Sequence, residues 1–243
     1  MIDIINIDGG NSGGNNGDSG DGGNGGGDGG GGDPGGIGGT RWLRRLGRMG
    51  EMRGIIGEIA LRYGPGAVKT GEICPSDAAP VLALENGLPA ARLAKWGFPR
   101  WGGAGLIINA RAETALEKPM FRAPLLNSRC AVPSSGFYEW DRLGGGGGGG
   151  KGKKGKADKY LLRREGAGVL YMAGMLGRFA DAAGAAREAF VILTTAASPS
   201  VAGIHDRMPV LLSGEELELW LSDRAGMERL LRRAGPELSL ERQ

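Results

Sequence analysis

Histidine and cysteine are almost absent. The 243-residue chain holds one histidine, His205, and two cysteines, Cys74 and Cys130. That excludes a disulfide scaffold and an ordinary structural zinc site, which needs four Cys or His ligands. No metal and no cofactor is expected. Long apolar runs are missing too: nothing approaches the ~20 residues that span a bilayer, so no membrane helix is expected. Met1 to Asp8 is too short and too acidic for a secretory signal, and a cytoplasmic protein is expected. Residues 1–40 lack lysine, arginine and glutamate; their only charges are six aspartates. No strict Gly-X-Y period is present, which rules out a collagen-like molecule.

Glycine is in excess, with 50 residues, about a fifth of the total against a usual ~7%. Residues 9–39 hold 19 of them and residues 144–156 another nine. The first stretch cannot bury enough apolar surface to offset chain entropy, so 1–40 reads as a flexible, acidic, low-complexity segment. The second reads as a loop insertion between two strands, its lysines either solvated or brushing a phosphate backbone. The remainder makes one domain over 41–234, followed by a tail at 235–243. Net charge is +3, yet residues 41–243 carry 30 basic and 21 acidic side chains. That excess is compatible with a nucleic-acid partner.

Within the domain, Met52, Ile55, Ile56, Ile59 and Tyr63 keep helical spacing until Gly64-Pro65 stops it. Arg41, Arg44, Arg45 and Arg48 either extend that helix or form a basic arm. The texture then changes to short strands at 81–84, 93–98, 106–109, 129–132, 137–140, 160–163, 170–173, 190–194 and 208–212, separated by Pro, Gly or Ser turns. Ser213-x-x-Glu216 is a capping box opening a helix with Leu217, Trp220 and Leu221 on one face. A last short helix covers about 224–234. Many strands, few helices and no βαβ alternation predict an α+β fold: a mainly antiparallel, barrel-like sheet with flanking helices.

Three polar clusters stand at predicted strand ends, where rigid scaffold meets solvent. In Asn109-Ala-Arg-Ala-Glu-Thr the Asn109 amide is suited to orient a substrate and Arg111 offers a forked donor for phosphate, or the pair is a turn and a surface charge. In Arg129-Cys-Ala-Val-Pro-Ser-Ser-Gly-Phe-Tyr-Glu-Trp, Glu139 lies between two aromatic residues that could raise its pKa toward acid–base use; otherwise it is a solvent-facing hairpin residue. Cys130 reads as an inert core thiol. In Ile204-His-Asp-Arg-Met-Pro the sole histidine, beside Asp206 and Arg207, is a proton-shuttle candidate or a structural histidine.

Taken together and in order, these motifs, with Phe190-Val-Ile-Leu-Thr-Thr-Ala-Ala, Lys95-Trp-Gly-Phe and Glu117-Lys-Pro-Met-Phe, resemble the SOS response-associated peptidase family of abasic-site processing proteins. The resemblance runs from about Glu51 to Leu221. It implies binding of abasic single-stranded DNA by a monomer in the DNA-damage response. It also implies capture of the ring-opened aldehyde as a thiazolidine by an N-terminal cysteine exposed by autoproteolytic processing. In the same reading Asn109 positions the reacting end, Glu139 handles proton transfer at the amine, and His205 assists opening of the sugar. Arg111 and Arg207 hold flanking phosphates, and Trp96 packs against a base or the deoxyribose.

The family pattern begins Met-Cys-Gly-Arg plus an aromatic residue, whereas this chain begins Met1-Ile2-Asp3-Ile4. Cys74 cannot replace the missing residue, because its nitrogen is an amide and forms no Schiff base. Two readings stand: the true start lies a few codons upstream, or the nucleophile is lost and the protein is a non-covalent binding module. The first is expected, since Asn109, Glu139 and His205 are all present. A cleaved propeptide over 1–40 fails, because no cysteine would be exposed.

Overall fold

The computed structural model describes residues 2–4, 42, 44–47, 51–141, 157–166, 168–181 and 183–243. The low-complexity readings at 9–39 and 144–156 lie outside the described residues. After strand β1 (Ile2–Ile4), helix α1 (Met52–Tyr63) buries Met52, Ile55 and Ile59 of the expected apolar stripe, leaves Ile56 half-buried and Tyr63 exposed, and ends at Gly64 with φ 96°. Strand β2 (Gly71–Ile73) leads to the hairpin of β3 (Ala78–Glu85) and β4 (Leu88–Trp96). Asn86 and Gly87 join those two with φ of 52° and 75°, the mirror-image turn that matches strand twist. A short ribbon of β5 (Phe98–Pro99) and β6 (Leu106–Ile107) then feeds β7 (Asn109–Arg111).

Helix α2 (Pro119–Asn127) precedes β8 (Arg129–Ser134), β9 (Gly136–Trp140), β10 (Lys159–Arg163), β11 (Leu170–Ala180) and β12 (Ala186–Ala196). The chain finishes with α3 (Pro199–Ala202), β13 (Arg207–Pro209), β14 (Leu211–Leu212), a 3-10 turn at Gly214–Glu216, α4 (Leu217–Ser222), α5 (Arg224–Leu231) and β15 (Ser239–Arg242). Both halves of the expected capping box form: Glu216 accepts from the Ser213 N–H, and the Ser213 side chain accepts from the N3 backbone.

The larger sheet closes on itself in the order β12-β4-β3-β8-β11 and back to β12. Strand β12 is the seam. One edge pairs β4 at Ala189–Phe190 and then β7 at Ile192–Thr194; the other pairs β11 and then β13. Inward residues of β3, β4, β8, β11 and β12, among them Val81, Trp96, Val132, Met172 and Phe190, fill one apolar cluster. The helices cover the outer face, where Ile55, Leu125, Trp220 and Met227 pack in a second. A smaller sheet, β15-β10-β9-β1-β2, leans against the barrel.

The α+β barrel is as expected, but several elements differ. The pairings of β12 with β4 and with β7 are parallel, so the sheet is mixed. The 119–127 segment is helical despite Pro124, which removes one backbone donor; burial of Phe121 and Leu125 holds it. Residues 239–242, expected in a tail, add an edge strand to β10. Residues 2–4, expected within the flexible segment, pair between β2 and β9. No helix among the described residues is long and apolar enough to cross a membrane.

Candidate active site

Barrel strands and the smaller sheet meet around a cavity of about 470 Å³. Strand β9 supplies Glu139. Its placement depends on Gly136, where an added Cβ would stand 2.7 Å from the Leu162 carbonyl oxygen. Only glycine lets β10 approach so closely at that point. The Ser134 hydroxyl, accepting from the Gly136 N–H at 3.1 Å, fixes the turn between β8 and β9.

His205 enters from the loop before β13, with its side chain 17% exposed. The Arg207 N–H donates to His205 Nδ1 at 3.0 Å. The Arg207 carbonyl lies 3.1 Å from the same nitrogen, so Nδ1 accepts from the Arg207 N–H in one tautomer and donates to the Arg207 carbonyl in the other. Nε2 faces Glu139 Oε2 at 4.0 Å, while Asp206 Oδ1 lies 3.3 Å from Nδ1 at the exposed side. The imidazole and the Glu139 carboxyl thus line one cavity together, with Asp206 on the solvent side. Tyr138 and Trp140 alternate with Glu139 along the strand, and Lys159 Nζ sits 3.9 Å and 5.9 Å from their ring centroids. These two rings are thus engaged by an ammonium group, and Lys159 also pairs with Glu72.

Asn109 lines the same cavity. It pairs in parallel with Ile192, and Arg111, two residues on, shares its exposed strand face. Arg111 is outside the cavity lining. Arg207 is inside it but already occupied: it donates to both Glu113 oxygens at 2.7 and 2.8 Å and to the Thr194 carbonyl at 2.6 Å. The Arg207 guanidinium holds the Glu113 carboxyl below the usual carboxylate range. Trp96 is only 4% exposed, stacks on Phe190 and donates its indole N–H to the Ile108 carbonyl at 3.0 Å. It can therefore touch only a group that has entered the cavity.

Sequence reasoning missed Trp101. It is 94% exposed at the tip of the β5–β6 ribbon, which leads straight into Ile108 and Asn109 on the cavity wall. The available signal was a tryptophan followed by Gly-Gly-Ala-Gly, a composition that cannot bury it. Cys74 also lines the cavity, and its N–H donates to Asp77 at 2.8 Å. The register Ile2↔Ile73 and Ile2↔Phe137 brings the backbone of residue 2 beside Cys74 and Phe137, at the cavity edge. Among the described residues no group of three or more His, Cys, Asp or Glu could hold a metal ion.

Comparisons with known proteins agree on one grouping. A stretch of 149 residues is 36% identical to the abasic site processing protein YoaM of Bacillus subtilis (strain 168), covering 58% of this chain and 62% of that protein. A stretch of 124 residues is 36% identical to the abasic site processing protein HMCES of Gallus gallus, covering 46% and 37%. The matches thus span less than two thirds of the length of these relatives. A solved structure from Bacteroides thetaiotaomicron superposes with a TM-score of 0.61 over 83% of this chain and 88% of its own, at 23% identity, and shares the fold. Residues 62–241 match the model of the SOS response associated peptidase (SRAP) family, and the chain belongs to that family.

Proposed function

We propose that this protein processes abasic sites in single-stranded DNA, and that the cavity holding Asn109, Glu139 and His205 receives the opened sugar. The observation that carries the reading is their convergence on one concave site beside the backbone of residue 2. In the tautomer protonated at Nε2, His205 presents that proton to the ring oxygen of the deoxyribose, favouring the aldehyde. The Asn109 amide holds the aldehyde oxygen, and Glu139 takes and returns the proton of the attacking amine. With a cysteine as first residue, amine and aldehyde lose one water to form an imine. The thiol then adds across that C=N bond to close a thiazolidine, and no oxidant or reductant is required. Removal of the initiator methionine exposes the residue at position 2.

Arg111, on the face that carries Asn109, meets the DNA backbone, and Trp101 offers a free plane for an adjacent base. Arg207 joins them only when it leaves Glu113. The family pattern has a cysteine after the initiator methionine, where this sequence has Ile2. The test is Ile2→Cys with the methionine removed, incubated with an abasic oligonucleotide and run on a denaturing gel. A stable shifted band is expected for Ile2→Cys, slowed by Glu139→Gln or His205→Ala, and none for the parent. A stable band from the parent means that another nucleophile acts and overturns the role given to a cysteine at position 2; none from Ile2→Cys overturns the covalent reading.

A further inference from the structure

The barrel interior has two mouths, and the site above occupies one. Alternate residues share a strand face. On β12 the inward series Thr194, Ile192, Phe190 continues to Glu188; on β4 the series Trp96, Ala94 continues to Arg92. Phe190, Ile192, Ala94 and Trp96 belong to one packed cluster, so Arg92 and Glu188 close the same interior at its far end. Arg92 Nη1 donates to Glu188 Oε1 at 3.1 Å, and Arg178 Nε lies 3.5 Å from that same oxygen. A separate cavity of about 560 Å³ opens over them, between the ends of β3 and β11 and the C-terminus of α2.

Charge is not balanced there. Three arginines, Arg92, Arg129 and Arg178, line this cavity with a single carboxylate, Glu188. Arg129 gives its donors to the carbonyls of Leu125, Leu126, Trp220 and Leu221, which satisfies its hydrogen bonds without cancelling its charge. Arg92 is short of acceptors as well. Beyond Glu188 it reaches the Leu84 carbonyl at 3.5 Å, and its Nε is sealed from solvent with no hydrogen-bond partner. A guanidinium has five donors to place, and a buried one left empty is costly. Arg178 has a side chain 76% exposed, with its Nε toward Glu188 and the rest of its fork in solvent.

We propose that this second mouth binds a phosphate group, held by Arg92 and Arg178 with Asn127 and Ser128 at the rim. Two convergent guanidinium forks suit a tetrahedral dianion, whose charge matches the excess of two positive side chains. The phosphate belongs either to a small phosphorylated molecule or to the backbone of a DNA strand passing the far side of the barrel. The inference does not depend on how the cavity at Glu139 and His205 is read.

The experiment titrates the full chain with inorganic phosphate at constant ionic strength, against chloride, by thermal midpoint and phosphorus NMR line width. Phosphate is expected to raise the midpoint where chloride does not. Glu188→Gln, which removes the competing carboxylate, is expected to tighten phosphate binding by about tenfold. Arg178→Gln is expected to weaken it by about tenfold while leaving the phosphate-free midpoint unchanged, because that side chain is largely solvated. Equal stabilisation by chloride, or parent-like binding in both variants, overturns the proposal. A saturating unphosphorylated single-stranded oligonucleotide then separates the sources. If it displaces phosphate, the site serves the DNA backbone; if phosphate binding is unchanged, it serves a small phosphorylated ligand. Either result upholds the site.

Discussion

Replacing Glu113 by glutamine asks whether Arg207 is a phosphate ligand held in reserve. The two side chains form a forked pair at 2.7 and 2.8 Å, with Arg207 21% and Glu113 47% exposed. Exposed pairs contribute ~0.2–1 kcal/mol, and breaking a buried pair costs ~3–5 kcal/mol. Solvent screens a half-exposed carboxylate, so the loss belongs near the top of the first range, about 1 kcal/mol. For a domain of this size that is a fall of roughly 2–4 °C in the unfolding midpoint. The pair depresses the Glu113 pKa in the folded state. Its contribution is therefore complete above the unfolded value of ~4.3 and is lost as pH falls through the lower, folded value. The gap between parent and variant should begin to narrow only below the unfolded value of ~4.3 and close as pH falls past the lower, folded one.

The effect on DNA runs in the opposite direction. A neutral amide releases the Arg207 charge toward the cavity, so affinity for single-stranded DNA should rise. One added phosphate contact should steepen the logarithmic salt dependence by ~0.7. Denaturant unfolding at several pH values and anisotropy titrations at several salt concentrations measure both. A stability gap that ignores pH refutes the electrostatic account of the pair. An unchanged salt slope makes Arg207 a brace for Glu113 and Thr194 and nothing more.

Two further outcomes follow from single residues. Trp101→Ala should leave stability within about 0.5 kcal/mol of the parent, since the ring is exposed. It should cost ~1–3 kcal/mol of affinity for single-stranded DNA, the usual loss of one stacked base; equal binding by anisotropy would remove Trp101 from the interface. Gly136→Ala forces a methyl group against the Leu162 carbonyl, so β9 must shift from β10. Urea unfolding should show a loss of about 1–3 kcal/mol, and any cross-linking by the Ile2→Cys form should fall because Glu139 moves with β9.

Local patterns were legible where one short segment contains its own reason. Helix α1 follows from the 3.6-residue spacing of Met52, Ile55 and Ile59, and the capping box at Ser213 from four consecutive residues. Signals failed where neighbours in space decided. Residues 174–180 and 186–189 lack an alternating apolar pattern, yet they are strand because Gly174–Ala180 of β11 pairs with Ala186–Ile192 of β12 and closes the barrel. Pro124 argues against a helix locally, and the burial of Phe121 and Leu125 outweighs it.

The same division holds for the site. Sequence alone determined the apolar segments, the turn chemistry and the order of the polar motifs, because each is a property of adjacent residues. Only the tertiary structure decided which polar groups share a cavity and in what state. Glu139 and His205 are 66 positions apart, and β9 and the loop before β13 set their 4.0 Å separation. Arg207 reads the same in sequence whether free or paired; the parallel contact of β7 with β12, followed by the turn at Glu113, gives it a carboxylate partner. Trp96 and Trp101 are also alike as residues. One sits at the end of a barrel strand facing inward and the other at a ribbon tip facing water, and that difference in burial separates a packing ring from a plane free to bind.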